Sequence, residues 1–473
     1  MQSYQQDIES CMTNFVHEVM HFYDTLSSKP VFQPASQENI SQIERQPISS
    51  DGRSFSKVYQ EMIQSIYTNV VSIQHPRYFS CIPSTATPLS WAGDVLTNAY
   101  NPHHSCQSNA PAAFLVEKKL IRWLCDLAGY PSESGGLFVS GGSIANLTAL
   151  TAARDSKLTY EERSRAVIYV SDQTHASVSK GLRIIGFRPD QIRIISTDDA
   201  FRMDIRQLTQ EIIFDLSQQR KPFAIVASVG TTNTGSVDPL PEIAVLCRKY
   251  DLWMHVDGAF GASALLSPKQ KCKLSGIEYS DSISWDAHKW MLQTYGCSMV
   301  LVRNESALVH SFAAHPEYLR DAQTEENSIE FWDLGPELTR PARCLKLWLT
   351  VQTLGTTALG QVIDHGCEMA QLAENAIRHL SNWEIISPAQ LGIVNFRYAP
   401  AQILPSQFDA LNKQISQTIT NSGYAEIFTT ELCGEKVLRM CTINPQTTRQ
   451  DILSTVEKLS EIAERLLSTY KKA

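Results

Sequence analysis

The sequence has no apolar run near the ~20 residues that a membrane-crossing helix needs. Its opening stretch, MQSYQQDIESCMTNF, carries no cationic segment followed by an apolar one. Neither a membrane span nor a signal peptide is expected. There is no basic excess: 41 Lys and Arg stand against 49 Asp and Glu, for a net charge of -8. A chain of that sign lacks the electrostatic footprint of a nucleic-acid binder. The 11 cysteines are scattered without a CxxC pair or a Cys/His spacing, which argues against zinc and against a disulfide framework. A reducing, cytoplasmic compartment is the simplest expectation. No GxGxxG follows a strand-like run, so a nicotinamide dehydrogenase has no support.

Apolar residues are abundant, 43% of 473, enough for more than one packed region. Near the start, Ile8, Cys11, Met12, Phe15, Val19, Phe22 and Leu26 recur with helical spacing, and Tyr59, Met62, Ile63, Ile66, Tyr67 and Val70 do so again. Two such helices cannot bury both faces on each other, so residues 1-75 read as a dimerisation arm. The stretch from His75 to Trp91 is rich in proline and reads as a loop. Apolar strands then alternate with helices: Ala166–Ser171, Ile192–Ser196, Phe223–Val229, Trp253–Val256, Ser282–Trp285 and Ser298–Val302. That alternation predicts an α/β domain over 76-355, with a mostly parallel sheet covered on both faces. A long helix is predicted over Arg343–Leu354. The remainder, 356-473, reads as a smaller α+β domain with strands at Ile393–Tyr398 and Val437–Thr442 and a final helix.

Chemistry-bearing residues fall at the ends of these strands, where open α/β sheets bind ligands. In GGLFVSGGSIANLTAL a strand-like piece meets a Gly-Gly turn, with Ser143 in the N-cap position of a helix. Gly142 lets backbone amides approach a phosphate, and the helix start favours its charge. His175 follows a strand, where an imidazole can lie on a flat ring or move protons. Thr232 in VGTT offers a hydroxyl, and Ala259 is small where a ring face needs room. Asp257 ends the strand in WMHVDGA and can pair with a pyridine nitrogen, provided charge pairing outweighs burial. Lys289 in DAHKW sits among Trp285, Trp290, Met291 and Leu292, where a desolvated amine can react with an aldehyde, and His288 beside it can reach a phosphate. Amine, acid and phosphate cup together suit pyridoxal 5'-phosphate.

The segments FVSGGSIANLTAL, SDQTHASV, VGTTNTGSVDPL, HVDGAFGAS, DAHKW and LTRPARCLKLW resemble, in order and spacing, those of the group II pyridoxal phosphate decarboxylases. That resemblance implies fold type I, a homodimer and an amino-acid substrate that loses carbon dioxide to become an amine. It implies that Lys289 carries the cofactor, that Asp257 partners the ring nitrogen and that His175 stacks on the ring. Gly142, Ser143 and His288 would hold the phosphate, with Thr232 and Ala259 beside the ring. Asp286 stands where aromatic-amino-acid decarboxylases carry Asn. Cys81, Ile82 and Ser105 stand where those enzymes have pocket aromatics, which points to a non-aromatic substrate. Phe331 in TEENSIEFWDLG stands where many relatives carry a loop Tyr that gives the carbon its proton, and a mobile loop over the site is expected there. An oxidative variant that makes an aldehyde is the second reading. A cofactor-binding protein without catalysis is the third, and the presence of both Lys289 and Asp257 weighs against it.

Overall fold

The computed structural model describes residues 2–82, 85–314 and 329–470. These form two compact units, one from residues 1–83, 372–386 and 395–473, the other from 84–371 and 387–394. The N-terminal segment expected as an arm thus groups with the C-terminal segment. The boundary expected at residue 355 falls within the helix Cys344–Arg378, at Gly355, whose φ of 75° breaks the helical path.

The second unit holds a seven-stranded sheet in the order β1-β7-β6-β5-β4-β2-β3. Its strands are β1 (Gly135–Val139), β2 (Ala166–Ser171), β3 (Ile192–Ile195), β4 (Lys221–Ser228), β5 (Trp253–Asp257), β6 (Ser282–Asp286) and β7 (Ser298–Val302). Strands β6, β5, β4, β2 and β3 run parallel, while β7 is antiparallel to both β6 and β1. Two reversals restore direction, so β1 ends at the same edge as the parallel set. Every residue of β1, β2, β5, β6 and β7 is buried, which fits their mostly apolar sequences; the polar side chains among them, such as Ser282 and His255, are hydrogen-bonded. Helix Gly142–Lys157 packs on the sheet through Ala145, Ala149, Ala152 and Ala153, small residues that allow close approach.

The prolines of the predicted loop do not all lie in one. Pro88 begins the helix Pro88–Tyr100, and the Thr87 hydroxyl accepts from the Ser90 amide at 3.4 Å. Proline at a first helical position loses no hydrogen bond, so the loop ends earlier than Trp91. The helix predicted over Tyr59–Val70 is α-helical only in Phe55–Met62, then continues as a π-turn to Tyr67. A second sheet has the order β10-β11-β9-β8, from Trp383–Gln390 (β8), Ile393–Tyr398 (β9), Phe428–Leu432 (β10) and Glu435–Cys441 (β11). The β10–β11 hairpin turns through Cys433 and Gly434, both at positive φ, the geometry that matches strand twist.

Strand β1 is an edge strand, and its free backbone groups are met by side chains. Glu117 Oε1 accepts from the Phe138 amide at 2.9 Å, and Arg340 Nη2 donates to the Phe138 carbonyl at 2.6 Å. The same guanidinium donates to Glu117 at 2.7 Å, and His104 Nε2 lies 2.7 Å from the other carboxylate oxygen. Cys344 lies beside them, and His104, Glu117 and Cys344 could together face a metal ion. The guanidinium already neutralises Glu117, so the group reads as a buried ion pair. Burial pushes the Glu117 carboxyl up, but Arg340 and His104 outweigh it and bring it down to about 2. Glu117→Gln is expected to destabilise the fold by about 3–5 kcal/mol, because it leaves a buried guanidinium without its countercharge. A folded-state value below the ordinary carboxylate range means that this stabilisation is present above that range. It is lost as pH falls toward about 2. Urea melts of both forms across acid pH would check this; equal stability would refute it.

Candidate active site

All eight residues singled out from the sequence line one cavity of about 340 Å³ at the shared strand edge: Gly142 and Ser143 after β1, His175 after β2, Thr232 after β4, Asp257 and Ala259 at β5, and His288 and Lys289 after β6. Parallel strands put successive carboxyl ends on one side, so residues far apart in sequence meet there.

The helix start differs from expectation in one detail. The N-cap is Gly141, extended at φ 179° and ψ 165°, and no side chain caps the helix. Its carbonyl accepts from the Ile144 and Ala145 amides at 2.9 and 3.0 Å. Ser143 is therefore inside the first turn, which leaves its hydroxyl unused by capping. Gly142 keeps the space beside Asp286 open: a Cβ there would lie 2.8 Å from Asp286 Oδ2 and push that carboxylate aside. Phosphate-sized anions fit such a start, where the first amides have no helical acceptor.

Lys289 lies in the short helix Ala287–Trp290, and Trp285, Trp290, Met291 and Leu292 around it are all buried. Its own side chain is 23% exposed and pairs with Asp286 at 3.2 Å, so full desolvation does not apply. His288 Nε2 lies 3.6 Å from the same carboxylate, and burial lowers the His288 pKa. Asp286 Oδ1 is buried with no hydrogen-bond partner. An orphaned oxygen beside an amine, an imidazole and free helix amides marks a place built for a polar group. Asp257 accepts from Asn146 Nδ2 at 3.0 Å, from the Ser284 hydroxyl at 3.2 Å and from the Ala259 amide at 3.2 Å. Burial works to raise its pKa, but the Lys289 ammonium and the hydrogen bond from the Asn146 amide reverse it, and the net direction is down. An ionised acid, an amine and an anion cup suit pyridoxal phosphate, with Asp257 for its ring nitrogen and Lys289 for its aldehyde.

Asn146, Ser177 and Tyr295 also line the cavity and were not singled out. Asn146 left a signal: it is a polar residue on the apolar face of a helix, and it is buried. Ser105 does not line the cavity. The Ser105 carbonyl instead accepts from the Phe331 amide at 3.1 Å.

Phe331 requires a correction. It is 1% exposed, in the turn Phe331–Asp333, and its ring lies 4.4 Å from that of Phe114 and 5.5 Å from that of His104. The Arg340 guanidinium sits 4.7 Å over it. The aromatic and cationic contacts hold it in the core, away from the cavity lining, where a mobile loop was expected. Residues 324–328 of that expected loop lie outside the described residues. Phe331→Tyr is expected to cost about 1–3 kcal/mol by burying a hydroxyl. Thermal melts read this directly, and an unchanged midpoint would argue against the core placement.

Residues 38–399 match the family described as the pyridoxal-dependent decarboxylase conserved domain. An aromatic-L-amino-acid decarboxylase of Bacillus atrophaeus is 37% identical over 447 residues, 94% of this chain and 93% of the relative. Among solved structures, Oryza sativa TDC with PLP and tryptamine aligns with TM-score 0.91 at 26% identity, covering 98% of each chain. Rhodiola rosea 4-hydroxyphenylacetaldehyde synthase aligns with TM-score 0.90 at 25% identity, covering 97% of this chain and 98% of that one. The mostly parallel sheet is that of fold type I, pyridoxal 5'-phosphate is the cofactor, and the chain belongs to the family of pyridoxal-dependent amino-acid decarboxylases.

Proposed function

We propose that this chain, as a homodimer, converts an aromatic L-amino acid to its amine and carbon dioxide. The observation that carries the substrate class is the 37% identity with the Bacillus atrophaeus aromatic-L-amino-acid decarboxylase over nearly the full length of both chains. The non-aromatic preference expected from Cys81, Ile82 and Ser105 finds no support among these relatives.

In this reading the cofactor supplies an electron sink for the carbon that loses carbon dioxide. Lys289 anchors it through Nζ. Asp257 holds a proton on the ring nitrogen. His175 covers the ring, Thr232 and Ala259 flank it, and Gly142, Ser143 and His288 hold its phosphate. The homodimer is supported by apolar residues exposed along Gln2–Thr25 and Phe55–Met62, among them Met12, Phe22 and Met62. A groove of about 820 Å³ runs between these helices, lined by Phe15, Val19, Phe55 and Val58. Faces of this kind mark subunit contacts.

A panel of tryptophan, tyrosine, dopa, phenylalanine, glutamate and 2,4-diaminobutyrate, read for carbon dioxide, amine, aldehyde and peroxide, tests the reading. The highest kcat/KM is expected for an aromatic substrate, with amine as product. Preference for glutamate or 2,4-diaminobutyrate would overturn the substrate class. Aldehyde with peroxide would instead favour the activity named for the Rhodiola rosea relative. Sedimentation of the loaded enzyme as a monomer would overturn the assembly.

A further inference from the structure

Behind the cavity, a single file of hydrogen bonds runs from the indole of Trp253 to the imidazole of His175. Trp253 Nε1 donates to Ser282 Oγ at 2.8 Å, and Ser282 Oγ lies 2.8 Å from His255 Nδ1. His255 Nε2 lies 2.9 Å from Asn146 Oδ1. Asn146 Nδ2 donates to Asp257 at 3.0 Å and to Ser177 Oγ at 2.9 Å. Ser177 Oγ lies 2.7 Å from His175 Nδ1, and the Ser177 amide donates to that nitrogen at 3.2 Å. Ser282, His255 and Asn146 are each at most 1% exposed, so no solvent can relieve a wrong orientation.

The direction along this file is set at its Asp257 end: only the Asn146 amide nitrogen can face the carboxylate, so Asn146 Oδ1 faces His255 Nε2. Ser282 Oγ accepts from the Trp253 indole and can give its own proton to His255 Nδ1. Burial brings the His255 pKa down to about 4, so that ring is neutral and its single proton sits on Nε2, facing Asn146. Turning the Asn146 amide over would set its oxygen against the Asp257 carboxylate, which fixes the amide as well. Both Asn146 N–H groups are then directed, one to Asp257 and one to Ser177. Ser177 Oγ accepts there and can give its proton to His175 Nδ1, which the Ser177 backbone amide already marks as an acceptor. Nδ1 of His175 thus receives a hydroxyl and a backbone amide and has no room for a proton of its own.

We infer that Asn146, backed by His255, is a positioning residue that favours the Nε2–H form of the His175 ring whenever that ring is neutral and fixes the Asp257 carboxylate in place. The inference rests on the proposed reading in which His175 and Asp257 flank the cofactor. Its consequence is that neutral His175 offers the cavity a hydrogen-bond donor and cannot act there as a base through Nε2. The same amide that sets the His175 ring also holds the acid for the ring nitrogen.

Nitrogen-15 magnetic resonance of histidine-labelled holoenzyme tests this without reading turnover. His175→Gln assigns the signals by their loss. In the natural protein, His175 is expected to show an unprotonated Nδ1 and a protonated Nε2. In Asn146→Asp the Ser177 hydroxyl turns to the new carboxylate, and the His175 signals are expected to move toward a protonated Nδ1. In His255→Leu the Asp257 carboxylate still orients the Asn146 amide, so the natural His175 pattern is expected to persist. A protonated Nδ1 in the natural holoenzyme overturns the inference even if every variant fails to fold. A folded Asn146→Asp enzyme with unchanged His175 signals overturns it too. A failure of the substrate panel with these tautomers intact would count against the proposed reaction alone.

Discussion

Replacing Lys289 with alanine is expected to abolish turnover and covalent retention of the cofactor. Among the residues that line the cavity, Lys289 is the one amine, and its neighbours on the same short helix are packed in place. An aldehyde held by the anion cup after β1 has no other primary amine to meet. Loss of the ammonium also leaves Asp286, 2% exposed, without its 3.2 Å partner, so the variant should melt earlier as well. Borohydride reduction followed by mass spectrometry reads the covalent bond, and gas evolution reads turnover. A variant that keeps both the trapped cofactor and its rate would remove Lys289 from its proposed role.

Asp257→Ala is the second large effect, expected as a fall in kcat of several orders of magnitude with the cofactor still bound through Lys289. The strength of the expectation lies in how the carboxylate is held. It ends β5, accepts from Asn146, Ser284 and the Ala259 amide, and keeps its charge although buried. A group ionised against the pull of burial can hold a proton on a ring nitrogen; alanine cannot. The effect is read as kcat at saturating cofactor, with the bound-cofactor absorbance as control. A loss within about tenfold, ~1.4 kcal/mol in the barrier, would mean that the acid does not tune the ring.

Much of the site was legible because the sheet is buried on both faces. Such strands are mostly apolar, so a shift to polar residues marks the strand edge; Asp257 is read at such an end, and His175 and Lys289 a few residues beyond one. Strand β1 was harder, since Gly135 and Gly136 dilute its apolar character. Gly136, at φ 156° with the Val300 carbonyl against it, is there for close strand contact rather than for a turn. The N-cap was displaced from Ser143 to Gly141 because an extended glycine can start a helix through its carbonyl alone. Phe331 was misplaced for a different reason. Its burial depends on Phe114, His104 and Arg340, and nothing in the polar stretch before it announces those distant partners. The hydrogen-bond file behind the cavity was invisible for the same reason, although the lone Asn146 on an apolar helix face was a trace of it.

The strand order also dictates when the cavity can first exist during synthesis. β1 leaves the ribosome before the other strands of its sheet, yet its strand partner is β7, which leaves last. Until Ser298–Val302 emerges, the edge bearing Gly142 has no neighbour, and Asp286 and His288 have no fixed level beside it. Pairings of such long sequence separation form late and expose strand edges while they wait. A nascent chain arrested before residue 298 therefore has its phosphate-binding turn already translated but no finished pocket in which to use it.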